Sequence, residues 1–237
     1  MSTENPLQNV SFPSNGSTAH GYLALPASGS GPGVVVIQEW WGLTSHIKDV
    51  ADRLATEGFV ALAPDLFGGA TTHDAEEAGR LMQDLPVDRA ARDLGGAVHY
   101  LLAHDAVTSE KVGALGFCMG GGFVLLLAAQ QGDKIGAAVP FYGVLGAEYP
   151  SFENLTAPLL GHFGELDEMA TPDAVRELAV TIEQQSGQRP DFRLYPAGHA
   201  FFNDENLIGT YDPEQAAKAW DATISFLRAQ LSPSGHR

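Results

Sequence analysis

The chain has one cysteine, Cys118, in the pentapeptide Gly116-Phe117-Cys118-Met119-Gly120. This is the G-x-S-x-G pattern with a thiol in place of the hydroxyl. The pattern carries chemistry when it follows a buried strand and opens a helix, and here the apolar run Val112 to Gly116 precedes it and the apolar stretch Met119 to Gln131 follows it. Such a turn is tight and strained. Side chains two residues before and after the nucleophile would collide, so glycine stands at both places. Gly121 and Gly122 extend the close packing. The helix N-terminus aims backbone N–H groups at the reacting centre, where they favour a thiolate and a developing oxyanion. A lone cysteine otherwise reads as a small buried apolar residue. The order and placement of its partners select the chemical reading: Asp167, in Gly164-Glu165-Leu166-Asp167, follows one expected strand, and His199, in Pro196-Ala197-Gly198-His199, follows another.

Nucleophile, acid, histidine is the chain order of α/β-hydrolases, and open α/β sheets build their sites at the C-terminal ends of strands. His199 could take the thiol proton and later return one to the leaving group, while Asp167 would hold the other ring nitrogen and stabilise the imidazolium. Asp65 and Glu165 are rival carboxylates. Asp65 suits a structural loop, and Glu165, two residues from Asp167, stays a minor alternative. Of the eight histidines, His20, His46, His73, His99, His104 and His236 fall in helices, the leading hairpin, loops or the tail and receive no role. His162 falls within an expected strand and reads as core packing.

The elements that must position these groups alternate along the chain. Val10 to Pro13 and Gly21 to Leu25 form a hairpin about Asn15-Gly16, a strong turn signal. Ala27 to Gly33 is a small-residue connector. Val34–Ile37, Phe59–Ala63, Val112–Gly116, Ala137–Phe141 and Pro158–Phe163 read as buried strands, and Phe192–Tyr195 as the last strand. Helices are expected over Ser45–Glu57, closed by Gly58, over Asp88–His104, and over Met119–Gln131. Another is capped by Thr171-Pro172-Asp173 and ended by Gly187, and a last one is opened by Asp212 and runs to about Leu231. This predicts one α/β-hydrolase domain over residues 1–237, a mostly parallel central sheet with helices on both faces and no large lid domain, with 1–9 and 232–237 loose.

At these residues the sequence resembles the dienelactone hydrolase (carboxymethylenebutenolidase) family over nearly its whole length. The resemblance rests on Gln38-Glu39-Trp40-Trp41-Gly42, Ala63-Pro64-Asp65-Leu66-Phe67, Gly116-Phe117-Cys118-Met119-Gly120-Gly121, Phe141-Tyr142-Gly143, Gly164-Glu165-Leu166-Asp167 and Ala197-Gly198-His199-Ala200-Phe201. It implies that Glu39 hydrogen-bonds the nucleophilic cysteine and helps remove its proton; from the residues alone Glu39 could equally make a structural salt bridge. It also implies an oxyanion hole from the backbone N–H groups of Trp40 and Met119. Trp41, Phe67 and Tyr142, with Trp40, are candidates to line an apolar pocket, with plain core packing the alternative. The sequence departs from the family in one place. Members that cleave dienelactone hold the substrate carboxylate with arginines, one of them four positions after the histidine, where this chain has Asn203. Arg80 is the nearest candidate for a second. An amide cannot make the charged bidentate contact of arginine with a carboxylate.

Composition narrows the partners. Lys plus Arg number 13 against 29 Asp plus Glu, a net charge of -16, which repels nucleic acid and anionic lipid. The N-terminus lacks a signal-peptide pattern, and one cysteine cannot form an internal disulfide, so the cytoplasm is expected. No metal-ligand spacing and no phosphate loop occur, so no cofactor is implied. No dimerisation element stands out, and a monomer is expected. Three functions fit: a cofactor-free hydrolase of a small lactone or ester through a thiol ester, a broader esterase or thioesterase, and a non-catalytic fold that binds a ligand or senses oxidation through Cys118. The lack of a second cysteine to resolve a sulfenic acid counts against a dedicated redox enzyme.

Overall fold

A computed structural model describes residues 5–145 and 150–232. Among the described residues eight strands and six α-helices make an α/β fold, and the strand order is β1-β2-β4-β3-β5-β6-β7-β8. The described chain through Gly113, with Leu231 and Ser232, makes one compact unit, and Ala114–Gln230 makes another.

In the first unit β1 (Val10–Ser14) and β2 (Ser17–Ala24) pair antiparallel in the register Val10↔Gly21. Asn15 and Gly16 both take positive φ, 40° and 89°, as the type I′ turn of a two-residue hairpin requires. Strand β2 then pairs antiparallel with β4 (Val60–Pro64), which lies parallel to β3 (Gly33–Ile37). Every residue of β3 and β4 is buried, the pattern of strands covered on both faces. Helix α1 (Ser45–Thr56) turns Ile47, Val50, Ala51 and Leu54 inward at helical spacing. Gly58, at φ 97°, lets the chain leave it. Helix α3 runs over Val87–Leu102 and buries Leu94, Ala97, Val98 and Leu101.

Helix α2 (Ala75–Asp84) was not among the expected elements. It buries only Ala78, so it carries almost no apolar stripe, but Asp74 caps it by accepting from Glu77 N. Residues 5–9, expected to be loose, are instead held. The Asn5 amide donates to Leu43 O at 2.8 Å, Gln8 Nε2 donates to Asp65 Oδ2 at 2.8 Å, and Asn9 N donates to Gly21 O at 2.9 Å. Ser232 is exposed just past the last helix, and the other positions expected to be loose, 1–4 and 233–237, lie outside the described residues.

The second unit begins within β5 (Val112–Phe117) and continues through α4 (Met119–Gln131), β6 (Ile135–Phe141), β7 (Leu160–Gly164), α5 (Pro172–Ser186), β8 (Asp191–Tyr195) and α6 (Pro213–Leu231). Strands β6, β7 and β8 are parallel. Strands β5, β6 and β7 are wholly buried, and β8, last in the order, is largely exposed. Helix α5 begins as its sequence dictates: Thr171 Oγ1 accepts from Ala174 N at 3.3 Å, Pro172 opens the helix, and Gly187 closes it at φ 74°.

Candidate active site

Strand β5 delivers Cys118 to the start of α4 with φ 54° and ψ -118°. A non-glycine residue rarely accepts this conformation, and here the surroundings fix it. Cys118 N donates to Phe141 O at 3.0 Å, and Cys118 O accepts from Gly121 N at 2.9 Å. The glycines are a matter of space. A Cβ on Gly116 would stand 2.3 Å from Gly120 O, one on Gly121 2.6 Å from Phe141 O, and one on Gly143 2.3 Å from Cys118 O. No side chain fits at any of the three. Met119 is the first residue of α4, so its amide has no acceptor within the helix and belongs to the N-terminal positive end of the peptide dipoles.

Two loops at the ends of β7 and β8 bring the partners. His199 Nε2 lies 3.2 Å from Cys118 Sγ, and His199 Nδ1 lies 2.8 Å from Asp167 Oδ2. Asp167 is fixed in turn, because its Oδ1 accepts from Met169 N at 2.7 Å and from Ala170 N at 2.9 Å. The Asp167 side chain is wholly buried and that of His199 is 11% exposed. The His199 loop passes through Ala200 at φ 59°, and the Thr210 hydroxyl donates to His199 O.

Burial would push the His199 imidazole down. The hydrogen bonds to Asp167 and Cys118, with their charges, overcome it and hold the group up at about 10. Burial would likewise raise Asp167, but the His199 hydrogen bond and charge, with the amides of Ala170 and Met169, keep it below the usual carboxylate range. The two shifts share one cause, since each partner stabilises the charged form of the other, and Cys118 adds to the rise of His199 as the two amides add to the fall of Asp167.

The other candidates fall as follows. Glu165 is exposed and engages Tyr195 O only through its backbone N–H, whereas Asp167 is buried against the imidazole. Asp65 accepts from Gln8 Nε2, Phe67 N and Gly69 N, a loop-shaping role in the first unit. His162 is a core residue: Nδ1 lies 2.8 Å from Tyr195 Oη and Nε2 3.0 Å from Thr223 Oγ1, and burial holds it down at about 3. Tyr142 is buried and sets its ring against that of His199, centroids 5.2 Å apart. Asn203 is also buried, and its Oδ1 accepts from Glu205 N at 2.9 Å.

The remaining candidates belong to the first unit. Glu39 is 2% exposed at the end of β3, and its carbonyl accepts from Gly42 N at 3.3 Å. The rings of half-buried Trp40 and buried Trp41 meet edge to face at 5.1 Å. Phe67 is half-buried, and Arg80 is exposed on α2. A cleft of about 750 Å³ in this unit is lined by Gln8, His20, Asp65, Arg89 and Asp93 among others and holds none of the expected site residues. Sequence reasoning did not find Thr210, or Tyr195 and Thr223 around His162. No local pattern marks a residue whose partner is set by the fold.

Comparison with known proteins decides the family. The dienelactone hydrolase family model matches residues 19–231. The chain belongs to the dienelactone hydrolase family. As a member of it, the protein is a carboxylic ester hydrolase. It is 37% identical over 232 residues to Protein usf of Aquifex pyrophilus, covering 95% of this chain and 99% of that one. It is 33% identical over 238 residues to a Bradyrhizobium protein named probable 2-oxo-3-(5-oxofuran-2-ylidene)propanoate lactonase, covering 94% of each. Among solved structures, a dienelactone hydrolase-like promiscuous phosphotriesterase from metagenomic libraries superimposes with a TM-score of 0.80 at 28% identity, over 94% of this chain and 97% of that one. Among the described residues of this dienelactone hydrolase family member, no three His, Cys, Asp or Glu side chains cluster to hold a metal ion, and no helix is long and apolar enough to cross a membrane.

Proposed function

We propose that the protein hydrolyses small lactones or esters through a thiol ester on Cys118, with His199 as proton carrier and Asp167 as its orienting anion. The observation that carries this reading is the unbroken line Cys118 Sγ–His199–Asp167, at 3.2 and 2.8 Å, on a strained turn at a helix N-terminus. Sγ attacks the substrate carbonyl, and the oxyanion is met by the amide of Met119 and, as the family resemblance implies, that of Trp40. The tetrahedral intermediate collapses with cleavage of the C–O bond, and His199 gives its proton to the departing oxygen. In a lactone that oxygen stays tethered to the acyl group.

The second half follows from what holds the His199 pKa high. Part of its rise comes from Cys118. Acylation of the sulfur removes that part, so the imidazole is more readily left neutral, in the form that can accept a proton when water must be activated. Water then loses a proton to His199 and adds to the thiol ester. The C–S bond breaks, the acid product leaves, and Cys118 and His199 regain their starting state. Glu39, on the family resemblance, assists the first deprotonation.

The substrate class follows from Asn203. Its Oδ1 is engaged by Glu205 N within its own loop, and an amide brings no charge to a substrate carboxylate. This favours neutral esters and lactones over dienelactone, and a broader carboxylesterase is the second reading. The neighbour named as promiscuous supports that breadth, while the Bradyrhizobium relative is named for a lactone that itself carries a carboxylate. The test is hydrolysis of a dienelactone, a neutral lactone and p-nitrophenyl acetate by the protein, by the same protein after thiol alkylation, and by Cys118→Ala. Turnover of the neutral substrates that disappears in both treated forms is expected. Full activity in Cys118→Ala would remove the nucleophile assignment, and a preference for dienelactone would remove the substrate argument.

A further inference from the structure

Tyr142 follows β6 with φ 37°. A bulky side chain in the left-handed region costs on the order of 1–3 kcal/mol and persists only when its surroundings dictate it. Two constraints dictate it here. Tyr142 N donates to His162 O at 2.7 Å. Gly143, the next residue, lies flat against the Cys118 turn, where an added Cβ would be 2.3 Å from Cys118 O and 2.6 Å from Gly121 Cα. The chain therefore bends sharply at residue 142, and the bend drives the ring inward to 1% exposure. It lands on His199 with centroids 5.2 Å apart and planes at 62°, with Phe201, Phe117 and Phe141 packed around it.

Both nitrogens of His199 are already engaged in the ring plane, by Asp167 and by Cys118. The contact with Tyr142 is of another kind, ring against ring. An aromatic ring attracts a cation that lies over its face within about 6 Å of the centroid, more strongly when water is excluded, and repels one at its edge; the 62° tilt is that of an imidazole edge meeting the tyrosine face. We propose that Tyr142 is a positioning residue whose aromatic ring steadies the tilt of the His199 imidazole and stabilises its protonated form. The proposal rests on the reading of His199 as proton carrier. The titratable groups facing His199 from the elements packed on it within the second unit are Asp167, Cys118 and Tyr142 itself. The first two set most of its elevated pKa, and the ring adds to a cation they have already made.

The test reads His199 directly, by NMR titration of imidazole-labelled full-length protein, and needs no turnover. Tyr142→Phe keeps the ring and is expected to titrate as the parent does. Tyr142→Leu is expected to titrate lower by about half a unit to one unit, the size of a cation–ring contact expressed in pKa. Replacing Tyr142 with 3,4,5-trifluorophenylalanine keeps the shape and withdraws the ring's negative face, so it folds even where the leucine variant does not, and is expected to titrate below Tyr142→Phe. Leu178→Ala, a buried helix residue of the same unit, controls for lost stability and is expected to leave the titration in place. Equal His199 titrations in the phenylalanine and trifluorophenylalanine proteins would overturn the proposal. Loss of the Cys118 nucleophile assignment would show separately, as turnover that survives alkylation.

Discussion

Asp167→Asn tests the hydrogen-bonded line at its buried end. The carboxylate is wholly excluded from solvent, with Oδ2 on His199 Nδ1 and Oδ1 on the amides of Met169 and Ala170. Asparagine has nearly the same shape, and its oxygen would keep the two amides. Its NH₂ group then faces His199. Two donors cannot share one hydrogen bond, so the imidazole must accept at Nδ1 and carry its proton on Nε2. That nitrogen points at Cys118 Sγ from 3.2 Å and can no longer take the thiol proton. The substitution also removes the anion that helps hold His199 at about 10 against its burial. Losing the histidine tautomer that can accept the nucleophile's proton costs about 10²- to 10⁴-fold in turnover, roughly 3–5 kcal/mol of transition-state stabilisation at 1.4 kcal/mol per decade. We expect kcat/KM for p-nitrophenyl acetate at neutral pH to fall within that range while circular dichroism stays native. We also expect iodoacetamide to alkylate Cys118 more slowly at neutral pH, because the sulfur loses the base placed to take its proton. An asparagine variant that kept a tenth or more of kcat/KM and the parent's alkylation rate would refute the tautomer argument.

Three further outcomes follow from the same geometry. His162 is held down at about 3 in the fold against 6.5 when unfolded, so the unfolded chain takes up the proton first as pH falls. The stabilisation from a neutral His162 is complete above about pH 6.5 and drains at about 1.4 kcal/mol per pH unit toward pH 3; urea unfolding of the parent and of His162→Gln between about pH 7 and pH 4.5 should show the shallower loss in the variant, and equal losses would contradict it. Gly143→Ala places a Cβ 2.3 Å from Cys118 O; the backbone must move, and we expect a lower melting temperature and at least about a tenfold loss of kcat. Thr210→Val removes the hydroxyl that donates to His199 O; a loss of about 1 kcal/mol, read as roughly a fivefold fall in kcat with KM unchanged, is expected, and a change confined to KM would place Thr210 in substrate binding instead.

How far the sequence could be read depended on where each element finds its stabilisation. Strands β3 and β4 are buried on both faces and announce themselves as unbroken apolar runs, and α5 announces itself through Thr171, Pro172 and Gly187. The line from Cys118 to Asp167 was legible for a related reason: each member sits just past a strand, where the chain direction alone brings side chains together. Helix α2 was missed because it buries one residue and is held by a polar cap, so the signal lay in Asp74-Ala75-Glu76-Glu77 and not in periodicity. Residues 5–9 read as loose because they are polar, yet those polar side chains are what tie them, to Leu43 O, Asp65 and Gly21 O, groups far away in sequence.

The backbone of Tyr142 is the clearest case of what composition cannot carry. Nothing in Phe141-Tyr142-Gly143 marks the tyrosine, and not the glycine beside it, as the residue with positive φ. The assignment is made by Gly143, whose missing side chain lets the chain lie against Cys118 O and so passes the strain back one position, onto a ring that is thereby pressed on His199. A glycine at 142 would adopt the same φ at less cost but would bring no ring. The energy held in that bend and the contact it secures have the same cause, so relieving the one removes the other.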